Sequence, residues 1–586
     1  MHFLRYCCVV LLAGASFLDA FAAAIVPPSI TAGFTNPKAA KSPLGTNLAQ
    51  VEDFRSEYPF VDFMKMARPW FSGTGSTFDD GRSLKRDANG NVTSLLAGQQ
   101  ARSVIFTNTE APDVALDKKR FQVDYDGDGR LEFDNVTVRS RGASEVNGSA
   151  VIEMRPVTGP GTDQTIILRL TRTNAGNPLR NVRMTPLGGI CANNPTVTVA
   201  AAANCAGNNF KSFRSNHATI LFNPAFLANL RNFHTVRFMD WMRTNNSTQS
   251  SFSTRALPAH QFWSTDKGVP LEVMVALSNL MDIDPWFNIP HKATDSYVNA
   301  FATLLYGQLE AGRRATIEYS NEVWNPIFDQ TFYCQDKGVA AKLNGISNFD
   351  AMLKFYSRRA RQVFERFDPA VNTALPSSAR LSRIRRVMAT QAVNESLTQT
   401  ILGFENAASK VDAFAIAPYF GGSVSTQAHR DALLALGVDG VFDWLLTYTK
   451  DNYNDDPNDP LGGFDGSLPN VKEVVGYQQQ VVASFRKQLI SYEGGQHFLG
   501  AFEFQDDAQL NALFDAVNRD ARMKNVYAQY LKDWKAVTGG EFNHYLNVDT
   551  FSLFGRWGSK EFQTSNCSAA PKCAALQAFI TANPLP

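Results

Sequence analysis

From about residue 213 onward the chain alternates short apolar stretches with longer amphipathic ones, and this alternation limits its folds more than any other feature. Strand candidates are Thr235–Trp241 (TVRFMDW), Leu271–Leu277 (LEVMVAL), Thr316–Tyr319, Arg386–Thr390, Ala413–Tyr419 (AFAIAPY), Leu489–Tyr492 (LISY) and Phe542–Val548 (FNHYLNV). Apolar residues at helical spacing mark Pro224–Phe233, Asp295–Leu309, Phe349–Phe367, Tyr477–Arg486 and Asn525–Val537 between them. Thr46–Val51, inside GTNLAQV, adds a strand near the start. Eight strands alternating with helices close most economically as a (β/α)8 TIM barrel, in which functional groups gather where strands end.

One region breaks the pattern. Between about residues 71 and 210 the segments are short, alternating and separated by turn residues, as in Phe121–Tyr125, Leu131–Phe133 and Thr165–Arg172. This reads as an inserted β-rich, sandwich-like module. The expected organisation is therefore a signal peptide at 1–22, a first barrel unit at 42–70, the module at 71–210, the rest of the barrel at 211–560 and a tail at 561–586. Pro59–Ala67 has helical spacing. Asp126-Gly127-Asp128-Gly129, within DYDGDGRLE, reads as a hairpin turn, because the spacing is too short for a twelve-residue calcium loop.

The compartment follows from the N-terminus and the cysteines. Arg5, the apolar run Cys7–Gly14 and the small residues around Ala20–Ala24 have the layout of a secretory signal, so the protein is expected outside the cell. Cys191/Cys205 and Cys567/Cys573 are spaced to close small disulfide loops, which leaves Cys334 odd and buried. Asn91, Asn135, Asn147, Asn245, Asn246, Asn394 and Asn566 head glycosylation sequons. A net charge of +1 gives no reason to expect nucleic acid or a membrane as partner. No cofactor or metal pattern is present, and a monomer is expected.

The strand ends carry the chemistry. IEYSNEVWN alternates as a strand and then delivers Asn321 and Glu322 at its end, and LISYEGGQH delivers Glu493 at the end of the seventh strand. Fourth and seventh positions face each other across a barrel mouth. Two carboxyls about 5–5.5 Å apart suit a retaining double displacement at a glycosidic bond, whereas about 6.5–9.5 Å leaves room for an inverting water. Facing carboxylates also raise each other's pKa, so one can stay protonated as the acid.

These motifs resemble those of the clan A glycoside hydrolases, (β/α)8 retaining enzymes with Asn-Glu at strand four and Glu at strand seven. The resemblance covers roughly 42–70 and 210–560. It implies Glu322 as acid/base, Glu493 as nucleophile and Asn321 on the sugar 2-hydroxyl. Arg237 in VRFMDW is similar to the clan's strand-two arginine, Tyr419 in FAIAPYF to its strand-six tyrosine, and Trp557 in FGRWG to the tryptophan that floors the sugar site. Trp286 and His291 in DPWFNIPH form either a sugar platform and hydroxyl ligand or a packed loop. Trp324 either stacks on sugar or packs beneath the loop.

The expected function is a secreted retaining glycosidase acting on a β-linked polysaccharide or oligosaccharide. The alternative is a non-catalytic carbohydrate-binding or adhesion protein on the same barrel, which would not need both glutamates. An esterase would need a G-x-S-x-G elbow, and no strand end carries one.

Overall fold

The computed structural model describes residues 34–107, 118–158, 163–343, 345–449 and 461–586. The proposed signal peptide lies outside them. Eight parallel strands form one sheet: β1 (Leu44–Asn47), β2 (Thr235–Arg237), β3 (Asp284–Ile289), β4 (Ala315–Tyr319), β5 (Ile384–Ala389), β6 (Ala413–Ile416), β7 (Gln488–Ser491) and β8 (Phe542–His544). They run in the order β7-β6-β5-β4-β3-β2-β1-β8. The remaining gap is bridged where the Ser491 amide donates to Glu541 O at 3.0 Å and Asn543 Nδ2 donates to Ser491 O at 2.8 Å. The result is a nearly closed (β/α)8 barrel.

The strands are short, and β1, β2, β4, β6 and β8 are buried along their whole length, as parallel strands covered on both faces are. β3, β5 and β7 are more accessible toward their N-terminal ends. The interior divides chemically. Trp286, Val387, Ala389, Ala413, Ala415, Ile490 and Tyr492 form an apolar cluster. Arg237, Glu318, Asn47 and Asn288 are also buried, and each meets a partner from a neighbouring strand.

The third strand differs from the expected one. LEVMVAL is not a strand: Leu271–Met281 is a helix, buried on nearly every side, with Pro270 before it and Asp282 in the left-handed conformation after it. A helix apolar all round shows no amphipathic period, so its β-branched residues mimic a strand. The true third strand is DPWFNI, in which Asp284 and Pro285 read as a turn. Asn279 accordingly sits inside a helix, where it bonds Gln308 O. Pro59–Ala67 forms only the short 3-10 turn Phe63–Lys65, because the Asp62 carboxylate accepts the Met64 and Met184 amides and fixes the backbone there.

Two four-stranded antiparallel sheets precede β2. Their inward residues, including Phe121, Ile152, Leu131 and Leu168, join the same apolar core as the barrel. Asp126–Gly129 is not a hairpin turn. The strands on its two sides, Arg120–Asp126 and Gly129–Asp134, belong to different sheets, so the turn carries the chain from one layer to the other. Both expected disulfides form, Cys191–Cys205 and Cys567–Cys573, and Cys334 is free and buried. No helix among the described residues is long and apolar enough to cross a membrane.

Candidate active site

β4 ends at Tyr319, and the chain turns sharply beyond it. Ser320 and Glu322 both have positive φ, 59° and 40°. Non-glycine residues adopt that conformation only where the surroundings impose it. Here Ile289 O holds the Ser320 amide at 2.8 Å, and Ser320 O accepts Asn288 Nδ2 at 2.8 Å. The turn aims the Glu322 carboxyl at the C-terminal ends of β5–β7.

Arg237, at the end of β2, is the hub beneath. Its Nη1 donates to Glu493 Oε1 at 2.7 Å and to Asn47 Oδ1 at 3.2 Å. Its Nη2 donates to Glu318 Oε2 at 2.9 Å and to Asn321 Oδ1 at 2.8 Å. Burial disfavours the guanidinium's charge, but Glu318 and Glu493 more than offset this and its pKa rises. Asn321 is thereby fixed from both ends, since its Nδ2 donates to Asn245 Oδ1 at 3.0 Å and Gln330 Nε2 donates to its backbone carbonyl at 2.8 Å.

The two candidate carboxyls have unlike surroundings. Glu493 accepts from the Arg237 cation and, on its other oxygen, from Tyr419 OH at 2.9 Å. Glu322 accepts only neutral donors, Tyr492 OH at 3.0 Å and Asn325 Nδ2 at 2.9 Å. Burial pushes both carboxyls up from their ordinary range, and Arg237 pulls both back. The charge of Glu318 adds to the rise on Glu322, and that of Glu322 to the rise on Glu493. Only Glu493 touches the cation, so a proton shared by the pair favours Glu322.

Aromatic rings wall the space above Glu493. Tyr419 and Trp557 are 5.6 Å apart centre to centre, and His497 lies edge-on to both at 5.1 and 4.8 Å. Tyr545 closes the group at 5.7 Å from Trp557. Burial pushes the His497 imidazole down to about 4, which leaves it neutral at physiological pH. A cleft of about 970 Å³ opens beside this wall, lined by Glu322, Trp324, Tyr419 and His497 among others.

The structure thus gathers Arg237, Asn321, Glu322, Tyr419, Glu493 and Trp557, and sets Trp324 on the cleft wall. It does not bring Trp286 or His291 to the cleft. Trp286 is fully buried in β3, below Arg237, and its Nε1 donates to Glu318 at 2.9 Å. His291 is buried against Tyr333, with both ring nitrogens unpartnered and its imidazole pushed down to about 4 by burial. Glu318, Tyr492, Asn325 and Tyr545 carry no signal in the sequence as site residues, although a glutamate in the middle of a strand buried on both faces does demand a partner. Among the described residues no group of three His, Cys, Asp or Glu is placed to hold a metal ion.

No family model matches the chain, and no curated protein matches it. Solved structures do align with it. The CBM22-1 and GH10 modules of endo-1,4-beta-D-xylanase 10B from Clostridium thermocellum, complexed with xylohexaose, cover 90% of this chain and 98% of their own, at 8% identity and a TM-score of 0.32. A 4-O-alpha-L-rhamnosyl-beta-D-glucuronidase from Fusarium oxysporum aligns over 61% of this chain and 65% of its own, at 11% identity and a TM-score of 0.34. An endo-beta-1,4-mannanase from Thermotoga petrophila aligns over 53% and 74%, at 8% identity and a TM-score of 0.25. All three are named as glycoside-cleaving enzymes.

Proposed function

We propose that this protein is a secreted retaining glycoside hydrolase acting on a β-linked glycan, in the manner of the clan A enzymes whose motifs it resembles. The observation that carries the reading is the unlike pair of carboxyls at the ends of β4 and β7: one bound to a guanidinium, the other held only by neutral donors.

The chemistry follows from that difference. Glu322, the protonated member, gives its proton to the glycosidic oxygen as the bond to the leaving group breaks. Glu493, kept ionised and oriented by Arg237 and Tyr419, attacks the anomeric carbon and forms a covalent glycosyl-enzyme. Glu322, now a carboxylate, takes a proton from water, whose oxygen displaces Glu493 and restores both groups. The remaining N–H of Asn321 is available to the sugar 2-hydroxyl, and Trp557 offers the sugar ring an apolar face. The two disulfides fit an oxidising compartment.

The test is hydrolysis of β-glucan, xylan, mannan and galactan oligomers by the wild type, Glu322→Gln and Glu493→Gln. Glu322→Gln is expected to lose about 10²–10⁴-fold in kcat on the oligomer the wild type cleaves, the range associated with one acid–base group, and Glu493→Gln, which removes the nucleophile, to lose at least as much. The product first seen by NMR should have the anomeric configuration of the substrate. Equal activity in all three proteins overturns the assignment, and an inverted product overturns the mechanism.

A further inference from the structure

The residue before Glu493 reaches the other glutamate. Tyr492 follows β7, and its ring is fully buried in the apolar cluster of the barrel interior. Its amide donates to Ile416 O of β6 at 3.1 Å, and its carbonyl accepts Asn47 Nδ2 of β1 at 3.0 Å. The Arg237 guanidinium lies 5.0 Å from the ring centre. With backbone and ring both held, the phenol oxygen has one place to be, and there it donates to Glu322 Oε1 at 3.0 Å.

The two oxygens of Glu322 are therefore unlike. Oε1 abuts a phenol sealed from solvent. Oε2 accepts from Asn325 Nδ2 at 2.9 Å, and Asn325 is half-buried and lines the cleft. A carboxylic acid carries its proton on one oxygen, and a glycosidic oxygen in the cleft can collect it only from the cleft side. Burial, together with the charges of Glu322 and Glu493, holds the Tyr492 phenol far above its usual range, so it keeps its own proton. A proton on Glu322 Oε1 would turn the bond round and leave the phenol hydrogen buried without an acceptor, since the hydroxyl has no other partner among the described residues. A proton on Oε2 keeps that bond and faces the cleft. Burial raises the Glu322 pKa, and the bonds from Asn325 and Tyr492 temper the rise.

We propose that Tyr492 is a positioning residue: its phenol occupies Glu322 Oε1, so the acid's proton leaves from, and returns to, the cleft-side Oε2. This rests on the glycosidase reading and adds to it the residue that places the proton. In the second half of the reaction the same bond leaves Oε2 as the oxygen that takes a proton from water.

Tyr492→Phe keeps the ring and removes the donor. The Glu322 carboxyl is followed directly by carbon-13 NMR of protein labelled at its glutamate carboxyl carbons, as the signal missing from Glu322→Gln. Loss of a hydrogen bond to the ionised form should raise its titration midpoint by about one pH unit. Replacing Tyr492 by 3-fluorotyrosine, a stronger donor of nearly the same shape, should lower the midpoint instead. A merely structural role gives no such opposed pair. Kinetics use phenyl and 2,4-dinitrophenyl β-glycosides of cellobiose, xylobiose, mannobiose and galactobiose. On whichever the wild type cleaves, Tyr492→Phe is expected to lower kcat/KM on the order of tenfold for the phenyl glycoside, whose departure needs the proton. The dinitrophenyl glycoside departs as a stable anion and should lose far less. A midpoint unmoved in both variants overturns the inference, whichever glycoside is cleaved. Equal losses on the two leaving groups also overturn it, and if Glu322→Gln still abolishes hydrolysis of the phenyl glycoside the glycosidase reading stands. Hydrolysis indifferent to Glu322→Gln overturns that reading, and the inference with it.

Discussion

At the scale of single residues, Glu318 matters more than its place in mid-strand indicates. Its Oε2 accepts from Arg237 Nε and Nη2, from Trp286 Nε1 and from Asn288 Nδ2. One buried carboxylate thus holds Arg237 in place while taking part of the guanidinium's field away from Glu493. Its charge is also one of the causes that raise the Glu322 pKa. Activity on the proposed mechanism needs Glu322 protonated, so the alkaline limb of the rate profile should lie above the ordinary carboxylate range. Glu318→Gln removes a negative charge, which makes loss of the Glu322 proton easier. The alkaline limb should then move toward lower pH, as read in kcat/KM against pH. A purely structural role for Glu318 would lower activity without moving the limb. Arg237→Met is a harsher change: it strands Glu318 and Glu493 without their cation, and a cost of about 3–5 kcal/mol is expected in denaturant unfolding.

At the scale of elements, the barrel closes because β1 is thin. A Cβ on Gly45 would stand 1.8 Å from Asn543 Oδ1 and 3.0 Å from Thr235 Cβ, the neighbours on β8 and β2. Asn543 cannot swing aside freely, since its Nδ2 bridges Ser491 O and Glu541 at the β7–β8 seam. Gly45→Ala should therefore cost at least about 1–3 kcal/mol, the usual toll of overpacking, seen as a lower unfolding midpoint. The third barrel strand belongs to this scale too. The count of eight could be read from alternation, but Leu271–Met281, whose pattern reads as a strand, is a helix, and Asp284–Ile289, whose pattern reads as a loop, is the strand. Burial on every side erases the period that separates a helix from a strand, so tertiary packing decides between them.

At the scale of the whole molecule, the antiparallel sheets and the barrel share one core. Phe63 packs on Phe106 and Phe121 of the sheet region, each at 5.3 Å, while Phe60 nearby packs on Trp241 at 5.4 Å and Trp263 at 4.8 Å. The segment carrying Phe60 and Phe63 thus joins the two parts through fully buried rings. Calorimetry should show a single cooperative transition for barrel and sheets together, not two. Phe121→Ala, a change in the sheet region, should lower that one transition by about 3–5 kcal/mol of stability. Two resolved transitions, with only one of them sensitive to Phe121→Ala, would mean that the parts fold separately.

The sequence by itself determined the strand–helix alternation, the two disulfides and the placement of Asn321-Glu322 and Glu493 at strand ends. Those features are local: apolar period, cysteine spacing and the residues that follow a strand can be read within a few positions. Only the tertiary structure decided which residues meet. Arg237, Glu318 and Glu493 are far apart in the chain and become one hydrogen-bonded network because strand register sets Asn47 beside Arg237, Arg237 beside Trp286 and Asn288 beside Glu318. The same register buries Trp286 beneath Arg237, and packing against Tyr333 seals His291 away from the cleft. The difference between Glu322 and Glu493 is likewise written in no motif. It arises because a single buried cation reaches one of the two carboxyls, and contact at a few ångströms in a dry interior is a property of the folded chain alone.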